Sequence, residues 1–483
     1  MHASERPRVR LGCGRHHGLP RSLLMVVLTA AILALPSCGT RGIRQPVSHK
    51  PNVLLIVIDA LRADRLHCYG YPRATSPALD TLAAQGVLFT DAMVEGAETL
   101  NSVPLLLTGR YPATPGMVWR RLQDKHFTLP GPGCPTLAEL LKQAGYATGM
   151  ISANPLLGAD LGLERGFDAF DSSWGQESVW VQTSSSDVNQ RAFAWLSRPR
   201  QGRPFFLYLH YLDPHSQYRP SPTFCVFGRP GYTAHDDVIN VALNDVGEGF
   251  TTPRATDARL AREGLSRADV VRLSDLYDGE VLCTDHYLGR LFQKLRDLGL
   301  YDDTVIIVTA DHGEAFLEHA DVQHANSLYQ EVIRAPLIIA GPQIHGGRRV
   351  DCLVESVDLA PTMLEAVGAA VPTGMSGRSF YGALARGENF ANEIGLAEIP
   401  VTKSYAVREG KWKLISTPRG RELYDLARDP HERQNLASSR PQQMERLTRL
   451  LHKLLSERKG TKVSSRPLSE RERKALESLG YLK

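Results

Sequence analysis

Three aliphatic runs, each followed at once by an acid, constrain this chain more than any other feature. NVLLIVIDAL starts at Asn52 and reaches Asp59, PFFLYLHYLDPH (204–215) ends in Asp213 and His215, and DTVIIVTADHGE (303–314) ends in Asp311 and His312. A fourth run, APLIIAG (335–341), stops at a glycine. None alternates apolar with polar residues, so each suits a strand buried on both faces. Between them lie SPALDTLAAQGV, TLAELLKQAGY and LYDGEVLCTDHYLGRLFQKLRDLGL, with apolar residues at three- and four-residue steps, the mark of amphipathic helices. Strands that alternate with helices imply an α/β fold with a mostly parallel central sheet sandwiched by helices. In such sheets functional groups gather just past the carboxyl ends of strands, where Asp59, Asp213, His215, Asp311 and His312 fall.

A chain of 483 residues has ample length for a large core. Its net charge of +4, from 56 basic and 52 acidic residues, is too mild to argue for a nucleic-acid partner. The front carries arginines without a lysine, then the uncharged LLMVVLTAAILALPSC ending at Cys38. Such a basic segment before a short apolar run reads as an export signal. Leu35-Pro-Ser-Cys38 resembles a bacterial lipobox, which implies lipidation of Cys38 and a membrane-anchored protein of the cell envelope. The five cysteines of the body show no paired spacing and no metal-ligand spacing.

The expected organisation is a leader with lipobox (1–38), a tether (39–50), a catalytic domain (51–371), a small C-terminal α+β subdomain (372–441) and a helical tail (442–483). YAVREGKWKLI and RGRELYDLARDPHERQNLA suggest a small antiparallel unit ending in a turn. The stretch 216–262 is rich in Pro, Gly and Asp and reads as a loop insertion near the site.

Four stretches together resemble the sulfatase branch of the alkaline phosphatase superfamily. They are NVLLIVIDALRADRLHCYGYPRATSPALDTLAAQGVLFTDA, the LLTGRYP frame ending at Pro112, TADHGEAFLEHADVQHANSLYQEVIRAPLIIAGP, and ELYDLARDPHERQNLA. In that family the frame begins with a cysteine that is oxidised to formylglycine, the nucleophile. Counting back from Gly109 puts Thr99 there, with Val103 at the signature arginine. The resemblance implies a divalent cation held by Asp59, Thr99, Asp311 and His312, with one ion expected rather than two. Sulfatases usually have two adjacent aspartates where this chain has Asp59-Ala60, and a histidine stands in the later pair. That nitrogen donor moves the expectation from calcium towards zinc or manganese and leaves the ion open.

A threonine hydroxyl is a weak nucleophile until a metal or base removes its proton, and a cation in this cluster would stabilise the alkoxide. Threonine is also the nucleophile in phosphate-transferring branches of the superfamily. His215 and His324 are candidates for the general acid that protonates the leaving group, or for joining Asp213 at a second metal. Arg110 and Asn154 are candidates for holding the transferred group, since the family's arginine, lysine and histidine clamps are missing or moved. The rival readings are structural: Asp59 and Thr99 as helix caps, Asp311 satisfied by the Gly313 and Glu314 amides, and the histidines as polar residues at turns. The expectation is a metal-dependent hydrolase of sulfuric or phosphoric esters of a small molecule, glycan or lipid, with Thr99 as nucleophile. A phospho-headgroup transferase acting on envelope lipids or glycans, and a non-catalytic binding protein, stand as alternatives.

Overall fold

The computed structural model describes residues 50–457 apart from 113, 123–124, 159–160, 173–184, 229–235, 246–252 and 391, together with 463–464 and 470. The leader, Cys38, the tether up to residue 49 and most of the tail beyond 457 lie outside the described residues. Among the described residues no helix is long and apolar enough to cross a membrane.

Eight strands form the central sheet: β1 (Asn52–Ile58), β2 (Val87–Met93), β3 (Ala147–Ser152), β4 (Ala169–Asp171), β5 (Phe205–Tyr211), β6 (Thr304–Ala310), β7 (Arg334–Ala340) and β8 (Arg348–Glu355). They lie in the order β8-β2-β7-β6-β1-β5-β3-β4. Every neighbouring pair is parallel except those made by β7, which runs antiparallel between β6 and β2. The four apolar runs are therefore all strands of one sheet. Their continuous hydrophobicity has a direct cause, because alternate side chains feed two separate cores. Leu54, Ile56, Leu207, Leu209, Ile306 and Val308 face one, and Val53, Leu55, Phe206, Tyr208, Val305 and Ile307 face the other. Each such side chain removed from water is worth about 1.5–3 kcal/mol.

The helices that concern the site are α1 (Pro77–Gln85), α2 (Thr99–Thr108), α3 (Ser185–Leu196), α4 (Arg267–Asp297), α5 (Leu359–Ala366) and α6 (Pro441–Glu457). Helix α4 starts in a capping box between Ser266 and Asp269. Its Asp285 reaches across to α1 and accepts from the Ala78 and Leu79 amides, both at 2.8 Å. The stretch 216–262, expected as a loop, holds two helices, Asp236–Asp245 and Pro253–Arg262. The Pro, Gly and Asp around them hid them, and among the described residues Ile239 and Leu260 of these helices reach the core.

The C-terminal unit is an antiparallel meander of β9 (Ile394–Ile399), β10 (Ser404–Glu409), β11 (Trp412–Thr417) and β12 (Gly420–Asp425). Leu447 and Leu451 of α6 pack onto its Leu396, Val407, Leu414 and Leu423.

Burial pushes the Asp285 carboxyl up to about 7 from its usual 3.8, even against the two amide bonds. A carboxyl raised on folding contributes stability that is fully present below its unfolded value and is lost as pH rises through its folded one. Glu95 and Asp358, raised by burial to about 7 and about 6, act with the same sign. The thermal midpoint is therefore expected to fall between pH 5 and pH 8, and Asp285→Asn should make the fall shallower. Thermal melts of both proteins across that range check it, and an unchanged slope in the variant refutes it.

Candidate active site

The centre forms where β1, β3, β5 and β6 end side by side. Asp59 follows β1, Asn154 lies two residues past β3, His210 is one residue from the end of β5, and Asp311 and His312 follow β6. Thr99 is the first residue of α2. All six side chains are buried. Immediately after Asp59, Ala60 adopts a left-handed φ of 55°. Its amide donates to Asp311 Oδ1 at 3.3 Å and its carbonyl accepts from the Tyr277 hydroxyl at 2.8 Å. An unfavourable backbone is thus held so that the two acids meet.

The Thr99 hydroxyl donates to Asp311 Oδ2 at 2.8 Å. The Asn154 amide donates to Asp59 Oδ2 at 2.6 Å and approaches Thr99 Oγ1 at 3.3 Å. His210 Nε2 lies 3.1 Å from Asp59 Oδ2 and 3.9 Å from Asp311 Oδ2. Its other ring nitrogen is 2.9 Å from the Tyr208 hydroxyl. His312 Nε2 lies 3.3 Å from Asp59 Oδ1 and 3.7 Å from Asp311 Oδ2.

This arrangement fits a cation on one specific ground. His312 Nδ1 must donate to the Gly313 carbonyl at 3.0 Å, because a carbonyl only accepts. In the neutral ring, Nε2 therefore turns a lone pair towards Asp59 Oδ1, and neither of these buried atoms makes a hydrogen bond. Two facing acceptors need a positive charge between them, either a proton or a metal ion. A cation with ligands at about 2.1 Å holds neighbouring ligand atoms about 3.0–3.5 Å apart, close to the spacings seen. Asp59, His210 and Asp311 offer ligand atoms all within 4.8 Å of one another. The electrostatics agree. Burial opposes charge on Asp59, yet His215, His210 and His312 overcome it and hold the carboxyl well below its usual range. Burial and the neighbouring Asp59 raise Asp311. Burial would lower the His312 imidazole, but Asp311 and Asp59 outweigh it and raise it.

Two further histidines border the cluster. The His324 ring stacks on His312 at 4.3 Å and meets the His215 ring edge-on at 4.9 Å. His324 Nδ1 is 3.0 Å from Glu314 Oε1, and Glu314 Oε2 accepts from the Tyr218 hydroxyl at 2.8 Å. Burial pushes the Glu314 carboxyl up to about 8 against that bond.

The expected set Asp59, Thr99, Asp311 and His312 thus converges, with Asn154, His215 and His324 beside it. The capping alternatives do not hold: neither α2 nor the turn after Asp59 uses these side chains as caps, since Thr99 Oγ1 goes to Asp311 and Ser102 donates to backbone carbonyls. Asp311 takes the amides of Ala60 and His312, while those of Gly313 and Glu314 bond to Val332 and Glu331 carbonyls. Two expected residues lie elsewhere. Arg110 follows the far end of the ten-residue α2, about 15 Å along the axis from Thr99, where it donates to the Pro115 carbonyl. The Asp213 carboxylate turns to the amide and hydroxyl of Ser185, the first residue of α3. The sequence motifs do not point to His210, Glu314 or Tyr218. The available signal for His210 was an ionisable residue inside the otherwise unbroken run FFLYLHY.

Comparison with known proteins agrees with this geometry. The sulfatase family model matches residues 51–369, and that described as N-sulphoglucosamine sulphohydrolase, C-terminal, matches 318–461. Arylsulfatase K of Mus musculus is 25% identical over 463 residues, covering 87% of this chain and 82% of its own length. N-acetylglucosamine-6-O-sulfatase of Bacteroides thetaiotaomicron is 24% identical over 493 residues, covering 85% and 86%. The crystal structure of the phosphonate monoester hydrolase of Agrobacterium radiobacter shares the fold with a TM-score of 0.67 at 21% identity, covering 85% of this chain and 96% of that one. Sheet order, strand-end acids and a family match over well over half of the sequence lead to one conclusion: this chain belongs to the sulfatase family of ester hydrolases.

Proposed function

We propose that this protein hydrolyses sulfuric or phosphoric esters through covalent attack by Thr99. The observation that carries the reading is the Thr99 hydroxyl, wholly buried and aimed at Asp311 Oδ2 from 2.8 Å within a cluster of acids and imidazoles. Asp59, Asp311, His312 and His210 are the residues that would hold a divalent cation. Such an ion supplies positive charge that favours the ionised hydroxyl and offsets the negative charge gathering on the ester oxygens.

The remaining steps belong to the chain itself. Thr99 Oγ1 bonds to the sulfur or phosphorus while its proton passes to Asp311 Oδ2, and the bond to the departing alcohol oxygen breaks. Asn154 holds the attacking oxygen in place from 3.3 Å. His324, set by Glu314, protonates the departing oxygen, with His215 beside it. Water then attacks the Thr99 ester, passing a proton to His324, while Asp311 returns its proton to the departing Thr99 oxygen, so that ester and water become alcohol and sulfate or phosphate. A sulfate held on threonine lacks the exit that a second hydroxyl gives a formylglycine, which favours phosphoric esters as fully as sulfuric ones. The leader and Cys38 support a place in the cell envelope, where glycan and lipid esters are accessible.

Metal content of the purified protein, combined with turnover of aryl sulfate, phosphate monoester and phosphodiester substrates, tests the proposal. Near one equivalent of divalent metal and turnover of at least one ester class that stops on chelation are expected. Full activity in a metal-free preparation would refute it.

A further inference from the structure

The family-like stretch ELYDLARDPHERQNLA contributes no residue to the centre above, yet one of its side chains is wholly buried. Glu432 pairs with Lys413 of β11 at 2.7 Å, and neither side chain touches solvent. From this pair contacts run to both ends of a single segment. Glu432 Oε2 accepts from the Gln330 amide at 2.6 Å, and Lys413 Nζ donates to Gln330 Oε1 at 3.4 Å. The Glu432 carbonyl accepts from His319 Nε2 at 3.0 Å. His319 in turn lies 2.6 Å from Glu331 through Nδ1 and stacks flat on Tyr329 at 3.6 Å. The Tyr329 hydroxyl donates to Glu422 of β12 at 2.7 Å.

The segment so pinched is strained. Leu317, Ala320, Gln323 and Ala325, none of them glycine, take φ values of 72°, 63°, 65° and 72°. Left-handed backbone at side-chain-bearing residues persists only where the surroundings over-determine it. His324 sits inside this stretch, and the next amide, Ala325, donates to the Ala97 carbonyl at 2.8 Å, two residues before Thr99.

We propose that Lys413 and Glu432 are positioning residues: their buried ion pair holds the C-terminal sheet to both ends of the 319–330 segment and so sets the His324 imidazole over the centre. The inference rests on the reading of His324 as proton donor. It assigns the C-terminal sheet a part in turnover although that sheet touches no reacting atom.

Amide exchange across 317–325 and steady-state kinetics on an aryl ester and an alkyl ester, in the full metal-loaded chain, test it together. Lys413→Met leaves Glu432 buried without a counter-charge, so the double variant Lys413→Met/Glu432→Met serves if the single one fails to fold. Expected are exchange faster by about tenfold or more in 317–325 and kcat lower by about 10–100-fold. KM should stay within about threefold, and the loss should be larger on the alkyl ester, whose leaving group needs the proton more. Lys413→Arg should recover part of the rate. Unchanged exchange, or unchanged kcat, in a folded variant overturns the inference. Faster exchange with equal losses on both esters supports the clamp but removes His324 from the acid role proposed above.

Discussion

Thr99→Ala is expected to lower kcat/KM by about 10⁴-fold or more while the protein keeps its fold and its metal. The hydroxyl does not cap α2, so its loss leaves the helix start intact, and it donates to Asp311 Oδ2. The cluster that would hold the cation keeps both carboxylates and both imidazoles. Thr99→Ser preserves the attacking oxygen and should retain most of the rate. Turnover of whichever ester the wild type cleaves, with metal content measured in parallel, checks this. Wild-type turnover in Thr99→Ala would mean that water attacks directly.

Asp59→Asn is expected to act one step earlier, on the cation itself. Asp59 brings one oxygen to His312 and the other to His210 and Asn154, so the amide removes charge from the middle of the set. Activity should fall by about 10³-fold, because a cation of this kind supplies several kcal/mol to the transition state. A readout apart from turnover exists. Added metal at about 100 times its dissociation constant stabilises a protein that binds it by about 2.7 kcal/mol. The wild-type thermal midpoint should rise on adding metal after chelation, and that of Asp59→Asn should not. The chelated wild type carries two buried carboxylates against one another, Asp59 raising the pKa of Asp311. Asp59→Asn relieves that repulsion but also gives up the contacts with His215, His210 and His312 that keep Asp59 ionised, so the readout is the metal-induced shift within each protein rather than the metal-free midpoint. An equal metal-induced shift in both proteins would place the cation elsewhere.

Particular residues show what was legible beforehand and why. Asp59 and Asp311 could be read because a run such as NVLLIVI, rich in Val and Ile, suits a strand covered on both faces, and a parallel sheet delivers its strand ends to one edge. His210 was harder to read, since it shares a face with Phe206 and Tyr208 and stands opposite Val57 of β1 and Ser152 of β3, so it reads as core until those neighbouring strands are placed. Arg110 misled for the converse reason. A motif fixes distance along the chain, but a helix turns that distance into a separation in space, and α2 carries Arg110 away from the hydroxyl at its start. Asp213 failed at the level of side-chain direction, which depends on Ser185 from a remote helix. The strained 317–325 backbone has no sequence signature, because left-handed conformations there fall on Leu, Gln and two alanines rather than glycines.

Double displacement through Thr99 is tested most directly by stereochemistry at the transferred atom. A phosphorothioate ester made chiral with two oxygen isotopes and hydrolysed in water carrying the third, so that the thiophosphate product is itself chiral, passes through two in-line displacements if Thr99 is the nucleophile. Net retention of configuration is the predicted result. Net inversion, the product of a single attack by water, would contradict it.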